Sequence, residues 1–156
     1  MSVATDLGPW GSDVDPFSRI DPPLVGVRLA RLEAVIARPA GSGAWWSAFQ
    51  HHLDELVDAL HRESHQIEGP DGLHQDILEE QPRLSFQVRR LEEERAQLIR
   101  ELALLRMLVS ACRVREGGIA VALTATTDVV ARLRGHRDRD DAVLHETYRC
   151  DLGVGD

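Results

Sequence analysis

Residues 61–74 read HRESHQIEGPDGLH and place three histidines and three carboxylates within fourteen positions. Imidazoles and carboxylates are the side chains that hold divalent metals, and a histidine pair at i, i+4 on one helix face can chelate an ion. His61 and His65 have that spacing. A second run, HRDRDD at 136–141, sets His136 before Asp140 and Asp141. A third pair, His51 and Glu55, reads H-x-x-x-E. The chemistry on offer is metal ligation or a network of ion pairs, and the elements carrying these residues decide between them.

Periodicity predicts four long helices. DPPLVGVRLARLEAVIARPAGSG opens with Asp21 as N-cap and spaces Leu29, Leu32 and Ile36 helically, giving a helix over 22–38 that Pro39 and GSG end. The second helix covers 43–68, with Phe49, Leu53, Leu56, Leu60 and Ile67 as its apolar stripe, and GPDG stops it. A short helical turn follows near 73–80. The third helix carries Leu84, Val88, Leu91, Leu98, Leu102, Leu105 and Val109 in alternating steps of four and three, with arginine in the slot at 95. After REGG, a fourth helix covers 119–148, with Ile119, Leu123, Val130, Leu133 and Leu144 expected inward. Short turns between amphipathic helices make antiparallel neighbours, so the expected fold is all-α, an up-down-up-down four-helix bundle over 22–150. Residues 1–21, rich in Gly, Pro, Asp and Ser, read as an irregular arm that Trp10 and Phe17 could dock, and 151–156 as a short polar tail.

Composition agrees. Aromatic residues make up only 4% of the chain, so Leu, Val, Ala and Ile must build the core, which favours packed helices over a sheet. The net charge of −8 argues against nucleic acid as a partner. No apolar run reaches membrane-spanning length and the N-terminus lacks a signal-peptide pattern, so no membrane partner and a cytoplasmic location are expected. All 18 basic residues are arginine, and lysine and asparagine are absent, the mark of a GC-rich bacterial genome. Cys112 and Cys150 form no C-x-x-C pair and read as ordinary thiols.

Winding the second helix at about 100° per residue turns His61 and His65 outward and sets His51 and Glu55 nearly opposite the stripe. Ser64 and Ile67 point inward, with Glu63 and Glu68 at the stripe edges. The fourth helix offers Asp140 near the centre of its inner face, with His136 and Arg137 at its edges. An arginine in a core slot keeps its charge and needs carboxylates beside it. The expected buried polar network is therefore Arg95 with Glu63, Asp140 and His136. Such a network could fix helix register, line a polar pocket or be a reworked metal site.

With these motifs in place, LHRESHQIEGPDGL, EEQPRLSFQVRRLEEERAQLIREL and LRGHRDRDDAVLHETY together resemble the hemerythrin-like (HHE cation-binding) helical bundles of bacteria, over roughly residues 25–150. That resemblance implies a pair of iron ions held by histidines and carboxylates of all four helices, serving oxygen binding, NO or peroxide chemistry, or iron-linked sensing. On this chain the matching positions are His136 with Asp141, His61 with His65, and His51 with Glu55. The chain departs from the pattern in three ways: the last two motifs share one helix, the first helix has no histidine, and the third has Arg95 where an inward histidine is expected. A cation there removes a donor and repels the ion. The resemblance thus implies the fold with a degenerate metal site, and no cofactor is the favoured expectation. The alternative is an iron-binding protein, with a metal held among Glu63, Glu68, His136, Asp140, Asp141, His61 and His65. Phosphate-loop and nucleophile-elbow motifs are absent, so a binding or regulatory role, through a homodimer or a protein partner, is favoured over catalysis.

Overall fold

The computed structural model describes residues 24–151, with side chains through Arg149. The expected arm at 1–21, the Asp21 cap and the tail, apart from Asp151, lie outside the described residues, as does the Cys150 side chain. The described chain is all-helical: α1 (Leu24–Ile36), α2 (Gly43–Glu68), the short α3 (Leu73–Glu80), a 3-10 turn at Pro82–Leu84, α4 (Ser85–Cys112) and α5 (Gly118–Asp151). None of these helices is long and apolar enough to cross a membrane.

Local chemistry sets the boundaries. α1 stops at Ile36, two residues before its expected end, because Ala37 and Arg38 turn back onto the carbonyls of Glu33 and Val35 ahead of Pro39. Ser42 caps α2, its hydroxyl accepting from the Trp45 N–H at 3.0 Å. Trp45, Trp46 and Phe49 then close one end of the core, the Trp45 indole donating to the Val35 carbonyl at 3.0 Å. At the other end of α2, Gly72 is required by close approach: a Cβ there would lie 2.3 Å from the Ile67 carbonyl oxygen. That tight turn brings α3 back against the other helices with His74 and Ile77 buried. Gln81 anchors the next turn by donating to the Thr147 carbonyl of α5 at 2.9 Å.

The principal helix pairings are α4 with α5, α1 with α2 and α2 with α4. Leu84 of the 3-10 turn and Val88, Leu91, Arg95, Leu98, Leu102, Leu105, Val109 and Cys112 of α4 are buried in an unbroken alternation of four and three. Each such leucine contributes about 1.5–3 kcal/mol when fully buried. α5 differs from the expected stripe. Beyond Gly118 its buried positions are Ala122, Thr126, Val129, Val130, Leu133, His136, Val143 and Thr147, while Ile119, Leu123 and Leu144 are only half-buried. Small and hydroxylated residues hold the inner line here. Thr126 and Thr147 can do so because each hydroxyl donates to the carbonyl four residues back, at 2.7 and 3.0 Å.

The core falls into two apolar clusters. The larger joins α1, α2, α4 and α5 from the tryptophans to Leu98 and Leu133. The smaller holds Ile77, Leu84, Val88, Leu91 and Val143. Along α4 the break between them is Arg95, and along α5 it is the stretch from His136 to Asp140.

Candidate functional site

A polar layer fills that break, and four helices, α2, α3, α4 and α5, supply it. Arg95 is completely buried. Its Nη1 donates to Glu68 Oε1 at the end of α2, and its Nη2 to Asp140 Oδ2 on α5, both at 2.8 Å. Glu68 is held in turn by the Ser64 hydroxyl, which donates to Oε2 at 3.1 Å. His74 of α3 sits between two carboxylates, Nδ1 at 3.1 Å from Glu92 Oε1 and Nε2 at 3.6 Å from Asp140 Oδ1. The second contact is an ion-pair distance, too long for a good hydrogen bond. His136, also buried, sets Nδ1 3.2 Å from Glu94 Oε2, and Arg139 donates to the same oxygen at 3.1 Å.

Burial alone would raise the Asp140 pKa, but His74, Arg95 and His136 around it outweigh burial and hold the carboxyl below its ordinary value. Burial lowers the His136 pKa, opposed by Glu94 and reinforced by the Arg95 charge, so the ring is neutral at pH 7. Burial pushes Glu94 up, and its bonds from His136 and Arg139 bring it below the normal carboxylate range. Arg95 Nε and His136 Nε2 are buried without hydrogen-bond partners.

The layer is reached from solvent by a cleft of about 180 Å³ between α2, α3 and α5. Its walls include Glu63, His74, Arg137, Asp140 and Asp141. Glu63 is not the partner of Arg95. It accepts from Arg137 Nη1 at 3.3–3.4 Å, and Glu68, one and a half turns further along α2, supplies the counter-charge. The reason is reach: Glu63 meets the guanidinium that α5 presents at the cleft wall, which leaves the inner one to Glu68. His136 lies fully inside rather than at the edge of its helix face. His61, His65 and Asp141 are exposed, so the structure does not bring the seven metal-candidate residues together.

The pair of iron ions implied by the resemblance does not fit this donor set. The inner carboxylates Glu68 and Asp140 are both engaged by a guanidinium that cannot shed its charge, and it would repel an ion placed between them. Among the described residues, the three-donor group whose ligand atoms lie mutually within 4.8 Å is elsewhere: His51, His52 and Glu55, on the α2 surface.

Of the layer's residues, sequence reasoning missed His74 and the carboxylates Glu92 and Glu94 that it and His136 contact. A signal existed, since His74, Ile77, Gln81 and Leu84 step by three, four and three into the α4 stripe, and all four are buried. Comparison with known proteins gives no match to any family model, any curated protein or any solved structure.

Proposed function

We propose that this chain is a non-enzymatic, hemerythrin-like bundle acting as a binding or regulatory protein, with an Arg–carboxylate layer in place of a di-iron site. The observation that carries this reading is Arg95, fully buried and shared between Glu68 and Asp140 at a core heptad position. An up-down-up-down course of the four long helices belongs to the same reading. The partners Gln50–Arg113, Asp54–Arg106 and Glu68–Arg95, between α2 and α4 with its C-terminal cap residue Arg113, descend in order, as antiparallel neighbours require. So do Arg95–Asp140 and Glu101–Arg132 between α4 and α5. The free, buried Cys112 thiol is in keeping with a reducing cytoplasm.

In this reading the cleft over His74 and Asp140 binds, and no bond is made or broken there. The test is metal analysis with a visible absorption spectrum on full-length protein expressed under iron supplementation. No tightly held iron pair and no visible charge-transfer band are expected. Two iron atoms per chain with a visible charge-transfer band would overturn the proposal.

A further inference from the structure

Far from the polar layer, α2 carries a second group of donors. Residues 51–55 precede Glu68 by at least thirteen positions, about 20 Å along the helix. His51 Nε2 lies 3.5 Å from Glu55 Oε1, and His52 Nδ1 lies 3.6 Å from Glu55 Oε2. The spacing explains the convergence. On a helix Glu55 is the i+4 neighbour of His51 and the i+3 neighbour of His52, so its carboxylate sits between two imidazoles. Their rings are 5.2 Å apart, edge to face.

We propose that His51, His52 and Glu55 form a mononuclear site for a divalent first-row transition-metal ion, of which zinc is the probe. Donors around a tetrahedral zinc at about 2.05 Å are about 3.3 Å apart. Each imidazole is already near that distance from one oxygen of Glu55, His51 from Oε1 and His52 from Oε2, and one ligand atom from each of the three residues lies within 4.8 Å of the others. His51, with 64% of its side chain exposed, has room to rotate toward His52. The second pointer is His52 Nδ1, which is buried without a hydrogen-bond partner in the structure although it faces the carboxylate. A metal ion would satisfy that lone pair.

Two imidazoles and one carboxylate select borderline ions over calcium or magnesium, which prefer oxygen donors. Three protein ligands leave a fourth position for water or an incoming group. Arg28 of α1 shapes the site from behind. It donates to Glu55 Oε2 at 2.5 Å, which pins the carboxylate and leaves Oε1 turned toward His51. Its positive charge also opposes the ion, so the site is of moderate rather than structural affinity.

The experiment is calorimetric titration of zinc into chelator-stripped, full-length protein, with cobalt absorption reporting coordination geometry. One zinc per chain is expected. His52→Ala and Glu55→Gln should each weaken binding at least tenfold, and the His51→Ala/His52→Ala pair should abolish it. His61→Ala/His65→Ala, an exposed pair on the same helix, should leave it unchanged. Circular dichroism checks that each variant is folded, as expected for substitutions outside the core. No binding at millimolar zinc, affinity unmoved by the His51/His52 pair, or loss of binding in the His61/His65 pair would each overturn the assignment.

Discussion

Replacing Arg95 by leucine tests the polar layer most directly. The substitution supplies an apolar side chain to a heptad slot between Leu91 and Leu98, so packing alone would predict a gain. Electrostatics predict the reverse. Glu68 and Asp140 lose the donor that each holds at 2.8 Å and are left as neighbouring, partly buried carboxylates. Removing one partner of a buried ion pair costs about 3–5 kcal/mol. The lower end applies here, because Glu68 keeps 26% of its side chain in water and Asp140 15%. We expect about 3 kcal/mol of destabilisation at pH 7, a fall in Tm on the order of 10 °C for a domain of this size. Urea unfolding followed by circular dichroism measures it. The pH dependence separates charge from packing. Asp140 in the native protein has a pKa held below its ordinary 3.8, so its contribution is present above that value and is lost as the pH falls through the lowered one. Without Arg95 one of the charges that lowers it is gone, the carboxyl protonates at higher pH, and the gap between the two proteins narrows in acid. Arg95→Leu combined with Glu68→Gln and Asp140→Asn should recover most of the loss at pH 7. A single variant as stable as the parent at pH 7 would mean that Arg95 reaches solvent, and the layer would not exist.

Three other outcomes follow from the same geometry. His136 has a pKa depressed by burial, so its contribution to stability is complete above the ordinary histidine value of 6.5 and declines as pH falls through the lowered one. Ring titration by NMR should give a midpoint below 6.5, and His136→Gln should flatten the decline in stability that begins there; a midpoint above 6.5 would contradict the burial of the ring. Gly72→Ala should cost about 1–3 kcal/mol, since its Cβ would stand 2.3 Å from a backbone carbonyl, and a thermal melt without a drop in Tm would show that the turn relaxes freely. Zinc bound at His51, His52 and Glu55 should survive the Arg95→Leu substitution unchanged, because the two sites lie far apart on α2.

Much of this arrangement was legible in the sequence where large aliphatic residues marked the inner face. α2 and α4 run as expected because leucines recur at steps of three and four, and Arg95 stood out because it breaks that series. The inner line of α5 was harder to see: Ala122 and Thr126 carry little hydrophobic signal, while Ile119 and Leu123, beside them, carry much more. Glu68 could not be separated from Glu63 as the partner of Arg95, because that choice depends on the relative register of α2, α4 and α5. His74 escaped because it sits on a helix of eight residues, too short for its own periodicity to show. His52 escaped because helical spacing points first to His51 and Glu55, and only coordinates place the neighbouring ring on the same carboxylate.

The polar layer also bears on why such a core contains charge at all. A long bundle with leucine at every inner position can slide by a heptad and rebury the same residues, so hydrophobic packing alone specifies register weakly. Arg95 finds both of its carboxylates in only one alignment of α2, α4 and α5, and any slip strands a permanent cation among apolar neighbours. The Gly72 turn and the Gln81 bond to α5 add α3 to the same alignment, which delivers His74 to Asp140. The layer therefore sets the register of the helices, and its Asp140 and His74 also line the cleft. A proton taken up by Asp140 would therefore act directly on the Arg95 ion pair that holds the helices in register.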